Sequence, residues 1–204
     1  MALAANALTT LAAFKDFMGI PTSDVTKDGR YEFFINAASG VIQTYCERQF
    51  LQATRVERHD GRLSDTLVTR EWPVSSVTEV RVAADWDFTN ANSLYDANDF
   101  AVEKGSVIRL RNKLFPKGKL NVQVTYVSGY LFANLPADLQ LCCLQLAEWY
   151  LALRDDRRIG VTNKSKSGEN IGFVGDLPDY VTSILINYRR EEFAGGLSAS
   201  VGNG

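Results

Sequence analysis

Leu120-Asn121-Val122-Gln123-Val124-Thr125-Tyr126-Val127-Ser128-Gly129-Tyr130, followed closely by Leu135-Pro136-Ala137-Asp138-Leu139, is where the chain passes from one kind of secondary structure to another. In the first part Leu120, Val122, Val124 and Tyr126 alternate with Asn121, Gln123 and Thr125, the period of a strand with one buried face. Beyond Gly129 the apolar residues recur every three to four positions. Asn134 can cap a helix there, Pro136 suits its first turn because its missing N–H would be unpaired anyway, and Asp138 sits near the positive end of the helix dipole. Asp176-Leu177-Pro178-Asp179 repeats that start signal. The two signals predict helices over about 136–154 and 177–192.

Toward the N-terminus the strand period persists. Thr78, Val80 and Val82 alternate with Val77, Glu79 and Arg81, and shorter candidates lie at Thr54–His59, Phe100–Glu103 and Val107–Arg111. Asp60-Gly61, Asn90–Ser93 and Lys117-Gly118 are the turns between them. Further back, Tyr31, Phe34, Ile35, Ala38, Val41, Ile42 and Tyr45 form one stripe of a helix from about Asp28 to Gln49. A short helix over about 10–19 begins at Thr9 or Thr10 and stops at Gly19. The expected fold class is α+β and mainly helical: an antiparallel helix bundle with a small antiparallel β-sheet inserted over about 52–128. One domain spans residues 1–193, and the uncharged Gly/Ser/Ala-rich residues 194–204 are expected to be a flexible tail. Residues 155–175 are polar and long for a connection, hence functional or disordered.

Composition narrows the function. The 204 residues carry 22 Lys+Arg, 24 Asp+Glu, a single His and three Cys, with 46% hydrophobic residues. That is an ordinary globular profile. A net charge of -2 argues against a protein that coats nucleic acid. Adjacent Cys142 and Cys143 with Cys46 make no disulfide framework and no CxxC site, so a reducing compartment of synthesis is expected. The apolar N-terminus lacks a positive region and is broken by Asn6, Thr9 and Thr10, so it reads as mature protein; no run is long enough for a membrane span. No cofactor, metal or enzymatic activity is expected.

Individual candidates for chemistry have plainer readings. Gly168, Gly172 and Gly175 match neither a P-loop nor a dinucleotide fingerprint. Asp85, Asp87, Asp96 and Asp99 lack the glycine and terminal glutamate of an EF-hand loop, so turn and capping roles are expected. His59 stands beside Asp60 with no nucleophile that the sequence ties to it.

Two features point to surfaces. The helix over 136–154 carries a sufficient core stripe in Leu139, Cys142, Cys143, Leu146, Trp149, Tyr150 and Leu153, yet Leu141, Leu144 and Leu151 lie on its other half. It is either central within its own domain or meets another subunit. Lys104, Arg109, Arg111, Lys113, Lys117 and Lys119 place cations and no acid in one segment, with Arg109, Arg111 and Lys113 on one strand face. That face is solvated, or it contacts an acidic partner or phosphates; a DNA-binding module using residues 104–119 is the competing class of function. Arg154-Asp155-Asp156-Arg157-Arg158 closes the helix with opposed charges suited to pairing within or between subunits.

The order of these features resembles a known family. Leu8-Thr9-Thr10-Leu11-Ala12-Ala13-Phe14-Lys15-Asp16-Phe17-Met18-Gly19-Ile20, Ile35-Asn36-Ala37-Ala38-Ser39, Tyr45-Cys46-Glu47-Arg48-Gln49-Phe50, Val122–Tyr130, Leu135–Leu139, Glu148-Trp149-Tyr150 and the late Leu177-Pro178 helix ending in Tyr188-Arg189-Arg190 are similar to the head-tail connector (adaptor) proteins of tailed bacteriophages. The resemblance implies a structural protein of the virion neck, made in the bacterial host cytoplasm. It implies a homo-oligomeric ring, commonly of twelve subunits, that joins the portal protein to a stopper or tail protein and lets double-stranded DNA pass without sequence specificity. A tail-completion or stopper protein of the same neck is the second reading. By position, Tyr188, Arg189, Arg190, Phe193 and Leu197 would reach the portal. Leu141, Leu144, Leu151, Arg154, Asp155, Arg157 and Arg158 would line the subunit interface, and Lys164, Lys166 and Glu169 would lie on a channel loop.

Overall fold

Thr10 opens α1 (Leu11–Phe17) with its hydroxyl accepting the Ala13 amide at 3.0 Å, which satisfies one of the free N–H groups at a helix start. The computed structural model describes residues 2–103, 105–155, 163–166, 169–172 and 177–190. α2 (Asp28–Cys46) ends where Glu47 takes the left-handed conformation at φ 54°. Six strands follow: β1 (Ala53–Gly61), β2 (Thr66–Val68), β3 (Val74–Val82), β4 (Phe100–Glu103), β5 (Val107–Leu110) and β6 (Gly118–Ser128). The chain then forms α3 (Ala137–Asp155), β7 (Asn163–Lys166), β8 (Glu169–Gly172) and α4 (Asp179–Leu185), which passes into a single 3-10 turn at Ile186–Tyr188.

The expectation of a mainly helical bundle is corrected. The strands hold nearly as many residues as the α-helices, and α1 and α4 are two turns each. β6 lies between β1 and β3 in one antiparallel sheet, β5 lies between β2 and β4 in a second, and β7 pairs with β8. The fold is mixed α+β. The physical reason is that the strand region has its own core: Val80, Ile108, Leu110, Phe115, Val122, Val124 and Tyr126 bury one another independently of the helices. A layer that buries its own apolar surface is half of the architecture rather than an insertion.

The helical layer buries Phe14, Ile35, Ile42, Leu139, Leu146, Val181 and Leu185 completely, each worth roughly 1.5–3 kcal/mol relative to exposure. The layers meet where β6 turns into α3. There the Tyr130 amide donates to the Phe50 carbonyl at 2.7 Å and the Gln52 amide to the Tyr130 carbonyl at 2.9 Å. Gly129 is required at this crossing: its φ is +99°, and a Cβ would lie 2.7 Å from the Leu51 carbonyl oxygen.

Arg48 completes the joint. Its side chain is 3% exposed, its guanidinium lies 3.6 Å from the centre of the Trp72 ring and 4.9 Å from that of Phe50, and it donates to the Trp72 carbonyl. Burial pulls its pKa down, with Glu71 acting in the opposite direction. A planar cation between two aromatic faces thus ties the end of the helical layer to the segment entering β3.

Candidate assembly surfaces

α3 divides the expected second apolar face. Leu139, Cys142, Cys143, Leu146 and Ala147 point into the helical core, and Leu151 joins them, 8% exposed. Leu144 is half-buried against the same cluster, while Leu141 is 40% exposed. Glu148, one helical repeat beyond Leu141, is exposed beside Tyr180 of α4. Burial first, then the charge of Glu148, pushes the Tyr180 phenol up. The opposed charges at the end of α3 pair within the chain: Arg154 lies 3.4 Å and Arg30 of α2 3.9 Å from the Asp155 carboxylate. Arg157 and Arg158 lie outside the described residues.

The C-terminal segment is fastened to both long helices. The Tyr188 hydroxyl donates to both oxygens of Asp138 at 2.8 Å, and burial with that carboxylate raises its pKa. Arg189 stands 3.5 Å from Glu47, and the Arg190 amide donates to the Cys46 carbonyl at 2.9 Å. The chain therefore leaves the described fold beside the C-terminus of α2. The helix expected to reach residue 192 stops at Leu185, after which the 3-10 turn brings Tyr188 to Asp138. Phe193, Leu197 and the tail 194–204 lie outside the described residues. Lys164, Lys166 and Glu169 fall on the β7–β8 hairpin, where Lys166 and Glu169 are partners in the backbone register.

The basic segment is less basic in three dimensions than in sequence. Arg109 donates to Glu103 at 2.9 Å and to Asp65 at 2.5 Å, and Lys113 donates to Asp99 at 2.5 Å. Antiparallel pairing of β5 with β2 and β4 brings acids from outside the segment beside these cations. β5 also ends at Leu110, and Asn112 turns the chain at φ 54°, so Arg109, Arg111 and Lys113 do not share one strand face. Lys104 lies outside the described residues. The aspartates between β3 and β4 cap local turns: Asp85 accepts the Asp87 amide at 3.2 Å, Asp87 the Thr89 amide at 3.0 Å and Asp96 the Asn98 amide at 2.8 Å. His59 bonds Glu57 at 2.9 Å. Among the described residues no group of three His, Cys, Asp or Glu could hold a metal ion, and no helix is long and apolar enough to cross a membrane.

One surface was missed by the reading of the sequence. Alternation places Leu120 with Val122 on the buried face of β6, but Leu120 is 46% exposed and Asn121 is 3% exposed. A register irregularity between His59 and Gly61 of β1 and a left-handed Leu120, φ 48°, reverse the faces at this end of the strand. Asn121 then acts as a clip: its amide oxygen accepts the Gly61 amide at 2.8 Å and its nitrogen donates to the Pro116 carbonyl at 2.9 Å. Gly61 approaches so closely that a Cβ would lie 1.8 Å from the Pro116 oxygen. The Leu63 amide donates to the Phe115 carbonyl and the Trp86 indole to the Lys119 carbonyl, both at 2.9 Å. Leu63, Trp86 and Leu114, on loops, and Leu120, near the start of β6, are thereby gathered, exposed, at one end of the sheets. Leu63 and Trp86 are also left-handed, at φ 56° and 64°, a conformation that costs an L-residue about 1–2 kcal/mol. The signal available in the sequence was a cluster of large apolar residues inside turn-rich stretches.

Comparison with known proteins follows the same architecture. The family of head completion proteins (HCP) matches residues 7–191. No curated protein matches the chain in sequence. Among solved structures, a chain in the neck of an empty GTA particle computed with C6 symmetry is similar at a TM-score of 0.63 and 19% identity, covering 96% of each chain. A chain in the virion of a native gene transfer agent (GTA) particle gives 0.62 and 17%, again over 96% of each. A chain in the neck of a native GTA particle computed with C12 symmetry gives 0.59 and 18%, over 96% of this chain and 97% of that one. At these identities the likeness is one of fold. With the match extending from before α1 to beyond α4, the chain belongs to the head completion protein (HCP) family.

Proposed function

We propose that this protein is a structural component of a phage-type virion neck, assembling as a ring, most simply of twelve copies, between the portal and the stopper or tail protein and extending the channel for DNA. The observation that carries the reading is the shared fold over nearly the whole of both chains with subunits from necks computed with six-fold and twelve-fold symmetry. The net charge of -2 suits a channel wall that lets DNA slide past. The pairing of Arg109 and Lys113 with acids argues against residues 104–119 as a dedicated DNA-binding module.

In this reading Leu141 and the half-buried Leu144, with Arg154 and Asp155 at the helix end, meet a neighbouring subunit. Leu151 supports that face from within. Arg189 and Arg190 anchor the start of the segment whose continuation, with Phe193 and Leu197, reaches the portal. The β7–β8 hairpin with Lys164, Lys166 and Glu169 faces the channel. The test is cryo-electron microscopy of the protein mixed with its portal. A ring seated on the portal is expected, and removal of residues 194–204 should weaken docking at least tenfold; unchanged docking would rule out the tail's role. Location on the far side of another ring would assign the protein as a stopper instead.

A further inference from the structure

The exposed end of the sheets is a built surface. Its loops and the start of β6 are locked by the Asn121 clip, the Trp86 indole bond and the close approach of Gly61 to Pro116, yet they hold Leu63, Trp86, Leu114 and Leu120 out in solvent. Rigid loops that combine left-handed backbone with exposed large apolar side chains are poorly explained by folding alone. The same end carries Arg62, Arg111, Lys117 and Lys119, all exposed and, among the described residues, with no side-chain hydrogen bond or ion pair. The acids of this end are engaged locally, since Asp60, Asp85 and Asp87 each accept a backbone amide.

A surface of matching chemistry lies on the other layer of the same molecule. α3 and α4 expose Leu141 and Tyr180 beside Glu148 and Asp179, and neither helix carries a Lys or Arg before Arg154. We propose that the loop end of the β-layer docks on the α3–α4 face of a second copy of this chain, with the leucines and Trp86 against Leu141 and Tyr180 and the free cations against Glu148 and Asp179. The two surfaces lie on different layers, so the contact is head-to-tail. Such a contact repeats from copy to copy and closes into a ring when the rotation permits. The inference rests on the ring assembly proposed above and names the surfaces that form it.

The test uses the full chain and its portal, with ring formation followed by analytical ultracentrifugation and electron microscopy. Lys117→Glu with Lys119→Glu should raise the concentration needed for ring formation about tenfold, and Glu148→Lys added to the same chain should recover much of that loss. Leu120→Ser should weaken the ring without lowering the melting temperature. Rings that form as readily from the charge-reversed chain, or charge-reversed chains that melt normally but are not rescued by Glu148→Lys, would overturn the proposal while leaving the ring reading intact. A wild-type chain that binds the portal only as separate subunits would instead overturn the ring reading, and this contact with it.

Discussion

Glu57 illustrates how single residues in the β-layer are held. Burial pushes its carboxyl pKa up, but bonds from His59, the Tyr126 hydroxyl and the Arg70 amide outweigh that and leave it below its ordinary value of 4.5. A carboxylate whose folded pKa is lowered contributes stability that is whole above its unfolded pKa and is lost as the pH falls through the folded value. Thermal melts should therefore show a drop in melting temperature below about pH 4.5, and Glu57→Gln should flatten that acid limb while lowering the melting temperature at pH 7. An acid limb identical in the variant would show that other carboxylates carry it. The long-range part of this network was not legible in the sequence, because Tyr126 reaches Glu57 through the pairing of β1 with β6 and the Arg70 amide comes from the segment between β2 and β3.

At the scale of elements, α3 separates two roles that its sequence superimposes. Leu146 has no exposed surface and lies in the helical core, so Leu146→Ala should cost about 2–5 kcal/mol in urea unfolding through lost burial and the cavity left behind. Leu141 is 40% exposed, so Leu141→Ser should change the unfolding free energy by no more than about 0.5 kcal/mol while weakening assembly. A large loss of stability from Leu141→Ser would place it in the core instead. Periodicity correctly marked this helix as apolar nearly all round. It did not distinguish Leu151, which packs inward, from Leu141, because that depends on where α2 and α4 lie against α3. For β6, period-two alternation holds from Val122 to Tyr126 and fails at Leu120, where a left-handed residue opposite an irregularity in β1 exchanges the faces.

For the whole molecule, the coupling of the two layers is the distinctive feature. Each layer has its own core, and Arg48 with Trp72 and Phe50 spans the joint. Arg48→Ala should destabilise the protein by about 2 kcal/mol through loss of the desolvated cation–π contacts and one hydrogen bond. In a Trp149→Phe chain, where Trp72 and Trp86 alone report the β-layer, it should also separate the helical unfolding signal in the far ultraviolet from the tryptophan signal, which coincide in the parent chain if the layers unfold together. Coincident transitions in the variant would show that the backbone crossing at Gly129 couples the layers without Arg48.

The sequence by itself determined the four helices, the strands β1, β3, β4, β5 and β6, the prolines that precede α3 and α4, and the resemblance to phage neck proteins, because hydrophobic period and turn residues act over a few neighbours. It did not mark β2 or the β7–β8 hairpin, and Pro178, not a side-chain cap, stands at the start of α4. Tertiary structure alone decided that β1 to β6 form two sheets with a core of their own, that the basic segment is partly neutralised by Asp65, Glu103 and Asp99, and that Leu63, Trp86, Leu114 and Leu120 share one exposed end. Each of these depends on residues far apart in the chain being brought together, and local periodicity carries no information about which distant partner a strand, a cation or a turn will meet.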